Sequence, residues 1–269
     1  PHVRVLLLIT SVWRNFGRRR LLRRALSACR AVASVRADRP QDTLIWRFLL
    51  GSAPTWLLKK AAAEAAAHED LMLVGGEDEM EYSHVGDAYL LSDTNPEIRK
   101  IVRALRAAAQ SMTFDFVAQV DDDSFVNLPI LFEILEYLPK ERVYVGNMID
   151  TVPQRGGLSK IVTPEYSVNI YLAAPSKVPV FAHGMGFIVS SDVALLMANM
   201  GLRLKSRAND DLILGVWFRN VEHLYYLHYW IWMFDHEEFG GMFAMPCDEQ
   251  AILVHRMNAE RWRRFSPTE

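Results

Sequence analysis

Residues 3–10, VRVLLLIT, form a run in which only Arg4 breaks a series of branched apolar side chains. A strand with apolar residues pointing both ways needs cover on both faces, and helices packed on a parallel sheet supply it. From about Asn15 the period changes. Leu22, Leu26, Cys29 and Ala33 recur at helical spacing, with Arg18, Arg19, Arg20, Arg23 and Arg24 around them. TLIWRFLLG (43–51) then reads as a second strand closed by Gly51, LLKKAAAEAAAHED (57–70) as an Ala-rich helix, and LMLV (71–74) as a third strand. The acidic segment 75–87 has no period and reads as a loop. Asn95 and Pro96 are a cap and a first-turn proline, opening a helix to about Gln110. This alternation predicts an α/β fold with a mainly parallel, Rossmann-like sheet, right-handed crossovers and flanking helices.

The next strand, in FVAQVDDDSF (116–125), ends in Asp121, Asp122 and Asp123. LPILFEILEYL (128–138) is a helix with Pro129 in its first turn, and RVYVGNMI is a strand. Residues 150–180, with Gly156, Gly157, Pro164, Pro175 and Pro179, read as a loop with at most one strand. GMGFIVSSDVALLMANM (184–200) gives a strand and then a helix capped by Ser190 or Ser191. At 269 residues and 51% hydrophobic content, the chain can build one large domain. Trp13, Trp46 and Trp56 are read as core.

Charge is uneven along the chain. Residues 1–60 carry 13 Lys and Arg against Asp38 and Asp42, while the whole chain is close to balanced at −2. One part could attract an anionic ligand while the other supplies carboxylates, and no nucleic-acid partner is expected. Cys29 and Cys247 are too few for a disulfide framework, although they could form one bridge. VRVLLLIT is too short to cross a bilayer and lacks the flanks of a signal peptide. Because the chain starts at Pro1, an anchor upstream of it is an expectation left open.

Three adjacent carboxylates at a strand end repel one another unless water or a cation offsets the charge. In open α/β sheets ligands bind beyond the carboxyl ends of the strands, which is where this triplet falls. Mg²⁺ or Mn²⁺ with a phosphate-bearing ligand would suit it, and a solvated acidic turn is the plain alternative. Asp210 and Asp211, in RANDDLILG, form a second acidic pair at the mouth of an apolar segment. Either a proton acceptor or a simple helix cap explains that pair. HLYYLHYWIWMFDHEEF (223–239) mixes histidines, acids and aromatics, but it fits no zinc spacing and reads as packing.

Taken in order, several stretches resemble the β-1,3-glycosyltransferase family of galactosyl- and N-acetylglucosaminyltransferases. VDDDSFVN is similar to its DDD-x-F-V-N motif, with Gln119 where the family usually has lysine. TSVWRNFGRRRLLR (10–23) looks like its opening S-x-x-x-N-x-x-x-R segment, and RFLLG (47–51) like its second strand. PVFAHGMGFIVSSDVALLM (179–197) is similar to its G-x-G-Y segment, with Ala182 in place of a cysteine. NDDLILG (209–215) looks like E-D-V-Y-V-G, and ILVHRM (252–257) like a histidine-bearing strand near the end. NPEIRK (95–100) is a reduced form of another stretch, and the chain carries no N-x-S/T sequon.

The resemblance implies a GT-A fold over residues 1–269. About 1–123 would bind the nucleotide, and about 124–269 would bind the acceptor and carry the catalytic base. It implies a UDP-sugar donor, Mn²⁺ or Mg²⁺, and inverting transfer of galactose or an N-acetylhexosamine to a glycan hydroxyl in a β-1,3 linkage. It also implies a Golgi-lumen location behind a type II signal anchor. Carried over residue by residue, Asp123 and His255 are the metal ligands, and Asp121 and Asp122 face the ribose or metal-bound water. Ser11, Arg18 and Arg23 lie on the nucleotide side, with Arg23 the first choice for pyrophosphate or uracil. His183 and Gly184 wall the donor and acceptor. Asp211 is the base, with Asp210 as its rival. On the residues alone, His255 is simply a satisfied histidine in an apolar strand. Two other classes remain: a two-metal phosphoryl- or nucleotidyl-transfer enzyme using Asp210 and Asp211 as well, and a silent carbohydrate-binding relative.

Overall fold

The computed structural model describes residues 2–33, 42–76, 78, 96–149, 151–153, 159–161, 180–200, 210–219, 221–240, 244–245 and 250–265. β1 (Arg4–Thr10) leads into α1 (Phe16–Ala33), followed by β2 (Thr43–Leu50), α2 (Leu58–Ala67), β3 (Leu71–Leu73) and α3 (Pro96–Ser111). β4 (Phe116–Asp121) ends at the acidic triplet, and the short β5 (Phe125–Val126) and α4 (Leu128–Tyr137) follow it. The second half holds β6 (Val143–Ile149), β7 (Thr151–Pro153), β8 (Ser159–Ile161), β9 (Phe181–Ser190), α5 (Ser191–Met200) and α6 (Asp210–Phe218). β10 (Tyr225–His228), β11 (Met233–His236), β12 (Ala244–Met245), β13 (Leu253–His255) and α7 (Ala259–Phe265) close the chain. The pairing of Cys29 with Cys247, the segment 79–87 and most of 150–180 lie outside the described residues.

The main sheet has the order β10-β6-β9-β4-β1-β2-β3. β3, β2, β1 and β4 run parallel, the order of a doubly wound nucleotide-binding half. β9 is antiparallel to both β4 and β6, so the sheet is mainly parallel with one reversed strand. That strand joins residues before and after position 123 in one sheet. The two-sided apolar pattern of β1 now has its reason. Val5, Leu7 and Ile9 pack into the core on one side of the sheet, and Leu6 and Leu8 into the core on the other.

Gly186 marks a close crossing of β9 with β4 and β13. Its φ is +145°, and a Cβ there would lie 2.7 Å from the Gln119 carbonyl oxygen and 2.9 Å from Leu253. Close strand packing is therefore the role of this glycine. Trp13 is core as expected, Trp46 is half-buried, and Trp56 is 77% exposed. Trp56 sits in the short turn ahead of α2, and that turn buries Leu57 in its place.

Asp115 clamps the lower ends of β1 and β4. It accepts from the Arg4 main-chain N–H at 2.9 Å and from the Arg4 guanidinium at 2.9 and 3.2 Å, and Lys140 lies at 3.1 Å. Burial works against its charge, but these donors outweigh burial and hold its pKa at about 2. A carboxyl depressed on folding stabilises above its unfolded pKa near 3.8, and that contribution is lost as pH falls through about 2. Asp115→Asn should cost about 2 kcal/mol at neutral pH, a figure discounted for the partial exposure of Arg4 and Lys140. Denaturant melts should show the gap to wild type closing toward pH 2. A gap that persists there would assign the loss to packing.

Candidate active site

A second sheet, ordered β12-β11-β13-β5, brings the end of the chain back to the triplet. β13 pairs antiparallel with β5, Leu253 opposite Val126 and Val254 opposite Phe125. Asn127 N–H donates to Ile252 O at 2.9 Å, and Met257 N–H donates to Asp123 O at 2.7 Å. These main-chain bonds on either side of His255 set it against the turn that follows β4. Its Nε2 lies 3.2 Å from Asp123 and 3.9 Å from Asp121. Donor atoms of Asp121, Asp123 and His255 all fall within 4.8 Å of one another.

Behind the imidazole stands Asp235, opposite His255 in the β11–β13 register, with Oδ1 2.7 Å from Nδ1. Both side chains are buried. Burial lowers the His255 pKa, but hydrogen bonds with Asp123 and Asp235 outweigh it and lift the value to about 9. At Asp123 burial acts upward, and His255, then Arg18 and Arg256, bring the net shift below the ordinary carboxylate range.

Asp122 points the other way. It is 4% exposed, and it takes hydrogen bonds from Ser11 Oγ at 2.6 Å, Asn15 Nδ2 at 2.9 Å and Arg18 Nη1 at 2.8 Å. Expected at the ribose or metal-bound water, it ties the turn to α1 in this structure through Ser11, Asn15 and Arg18. Ser11 is likewise committed inward, with Arg19 Nη1 donating to its Oγ at 2.9 Å.

Arg18 and Arg23 are placed differently. Arg18 reaches Asp122 and lies 3.5 Å from Asp123, whereas Arg23 pairs with Glu64 at 2.8 Å and Asp70 at 2.7 Å. Helix geometry explains the difference. Arg19 and Arg23 are four residues apart and share the face turned to Glu64, while Arg18 is rotated away toward the triplet. Arg19 is fully buried, bonded to both Glu64 oxygens.

On the far side, Gly184 and Asp211 meet: a Cβ at 184 would lie 3.7 Å from Asp211 Oδ2. Asp211 is the second residue of α6, and Asp210 is the first, its side chain lying outside the described residues. Burial raises the Glu97 pKa; Lys100 opposes this, and Asp122 and Asp211 add to it. Lys100 is itself buried, donating to Ser11 O at 3.1 Å and Asp78 O at 2.7 Å. Burial pushes the His183 pKa down to about 4, with Asp235 opposing and His255 and Arg256 adding. His183, on β9, thus lies within electrostatic reach of Asp235 and His255, and its neighbour Gly184 adjoins Asp211 of α6.

A model of the galactosyltransferase family matches residues 18–225. The chain belongs to this family. The helix-flanked, mainly parallel sheet with an acidic turn at its carboxyl edge is the GT-A arrangement expected of it. Over 125 residues, 45% of this chain, it is 27% identical to the UDP-GalNAc:beta-1,3-N-acetylgalactosaminyltransferase 2 of Xenopus tropicalis, 24% of which is covered. Over 185 residues, 66% of the chain, it is 27% identical to a probable beta-1,3-galactosyltransferase 5 of Arabidopsis thaliana, 42% of which is covered. The chain thus spans less than half the length of these curated relatives. The solved mouse xyloside xylosyltransferase 1 matches with a TM-score of 0.43 at 12% identity, over 97% of this chain and 99% of that one. That likeness is too loose to bear on mechanism.

Within this galactosyltransferase-family chain, the reading of motifs missed Asp235, Glu97, Lys100 and Arg256. Asp235 lies in the aromatic run read as packing. For His228 packing holds: its Nδ1 accepts from Met148 N–H at 2.8 Å, and burial lowers its pKa to about 4. No described helix is long and apolar enough to cross a membrane.

Proposed function

We propose that this chain is the catalytic domain of an inverting, metal-dependent β-1,3-glycosyltransferase, moving galactose or an N-acetylhexosamine from a UDP-sugar to a glycan hydroxyl. The observation that carries the reading is the cluster of Asp121, Asp123 and His255 at the carboxyl end of the central strands. Two carboxylates and an imidazole suit Mn²⁺, with Mg²⁺ the harder alternative. Asp121, Asp123 and His255 would hold the ion, which when bound would act as a Lewis acid for the diphosphate.

The remaining steps belong to the protein's own groups. Arg18 and Asp122 brace the loop that presents the carboxylates. Gly184 lies beside Asp211, and an acceptor hydroxyl on that side would meet the carboxylate that would take its proton. Inversion needs that proton acceptor on the sugar face opposite the departing UDP. A Golgi-lumen location behind an upstream signal anchor is carried over from the resemblance; imaging the tagged gene product against a Golgi marker checks it.

Calorimetry with UDP, first in EDTA and then in Mn²⁺, tests the central claim. Binding is expected only with the cation, and Asp123→Ala should remove the Mn²⁺-dependent part. Equal affinity in both buffers would sink the metal assignment. A parallel panel of UDP-sugars, scored for UDP release, identifies the donor.

A further inference from the structure

We propose that Arg256 is the cation that receives the donor diphosphate, held beside His255 by a left-handed turn and a stack on Phe239. This rests on the donor reading above, and it adds the residue and the part of the ligand that residue meets.

Arg256 follows the last residue of β13 with φ +66°. Residues with a Cβ seldom adopt that conformation, and where they do the surroundings must impose it. Here the main chain is pinned on both sides. Met257 N–H donates to Asp123 O at 2.7 Å, and the Arg261 guanidinium donates to Arg256 O. The turn therefore aims the side chain off the strand that carries His255.

Its guanidinium carbon lies 4.7 Å from the centroid of Phe239, a ring that is 54% exposed. Phe239 ends a short 3₁₀ turn capped by His236, whose Nδ1 accepts from Glu238 N–H at 3.2 Å. Stacking uses the face of the guanidinium and leaves its N–H edges for a ligand.

Four other described arginines near this end of the fold are committed to carboxylates. Arg18 pairs with Asp122, Arg19 with Glu64, Arg23 with Glu64 and Asp70, and Arg261 with Glu238. Among the described residues, no carboxylate forms such a pair with Arg256. Its charge is nonetheless close enough to act on Asp123 and His183. A positive fork next to a metal-ligand cluster, with open donor edges, matches the planar recognition that a phosphate oxygen pair offers.

The test compares UDP with uridine by calorimetry in Mn²⁺, on wild type, Arg256→Gln, Arg256→Lys and Phe239→Leu. Arg256→Gln should bind UDP about tenfold more weakly, the size of one charge-assisted hydrogen bond. Uridine binding should not change, and Mn²⁺ binding without nucleotide, followed by electron paramagnetic resonance, should not weaken, because the charge removed near Asp123 is positive. Arg256→Lys should recover part of the loss. Phe239→Leu, which keeps the charge and removes the stack, should weaken UDP binding by a smaller factor, and it gives the reading if Arg256→Gln does not fold. Wild-type affinity for UDP in Arg256→Gln would overturn the inference. So would equal losses for UDP and uridine, which would trace the effect to a disturbed turn. A wild-type protein that binds no UDP in Mn²⁺ would overturn the donor reading and this inference together; intact wild-type binding isolates any failure to Arg256.

Discussion

Asp211→Asn is expected to lower the transfer rate about 10²- to 10⁴-fold while Mn²⁺-dependent UDP binding stays close to wild type. The substitution keeps the shape of the side chain and removes the proton acceptor. Position argues for the effect. The Asp211 carboxylate lies beside Gly184, where a Cβ would sit 3.7 Å from its Oδ2, and it is not among the groups that gather at His255. Glu97 is the informative neighbour. Burial, with Asp122 and Asp211 adding to it, makes Glu97 hold a proton more readily than an ordinary glutamate. A carboxyl that holds its proton beside a proposed base is a rival for a proton-transfer role, so Glu97 belongs in the same test. Rate and UDP affinity should therefore be measured together on Asp211→Asn, Asp210→Asn and Glu97→Gln, with thermal stability as a control. Near-normal transfer by Asp211→Asn would remove it from the mechanism. Loss confined to Asp210→Asn or Glu97→Gln would move the role to that residue. Parallel losses in stability, affinity and rate would make Asp211 a structural residue near the start of α6.

The parts of this site that were legible in the sequence are those set by local pattern. A continuous apolar run forces a two-sided strand, so β1, β2 and β4 were readable, and with them the position of the triplet. Pairing partners are another matter. β9 lies between β4 and β6 in the opposite direction, and no residue within it announces that order. Side-chain facing was lost for the same reason. Asp121, Asp122 and Asp123 look equivalent as letters, yet one turns to Ser11 and Arg18 while its neighbours face His255. Arg18 and Arg23 share a helix and differ only in rotation about it, and the location of Glu64 and Asp70 decides which of them is taken up. Trp56 shows the converse: a large apolar residue suggests core, but the turn ahead of α2 spends its buried position on Leu57.

Asp235 was hidden most fully, because a carboxylate inside an aromatic strand gains meaning only from what lies opposite it in β13. The pairing makes a definite claim about metal binding. For His255 to ligate through Nε2, which faces Asp123 and Asp121, its remaining proton must sit on Nδ1, 2.7 Å from the Asp235 carboxylate. A carboxylate there fixes the tautomer, holds the ring plane and makes the imidazole a better donor, and loss of such a partner typically costs about 10- to 100-fold in metal affinity. Asp235→Leu should reach the upper part of that range, since it leaves a buried N–H unpaired as well. Asp235→Asn, which keeps an oxygen acceptor but no charge, should fall toward the lower part. Mn²⁺ titrations followed by electron paramagnetic resonance, without nucleotide, read the effect directly and do not depend on turnover. Folding is checked on the same samples. A residue that only packs would lower stability in both variants, and the two would bind Mn²⁺ alike once folded. A graded loss of affinity, Leu beyond Asn, in variants that melt at similar temperatures is the signature of a positioning residue. Wild-type Mn²⁺ affinity in a folded Asp235→Leu protein would show that His255 is oriented by its own strand, and that the carboxylate serves the core alone.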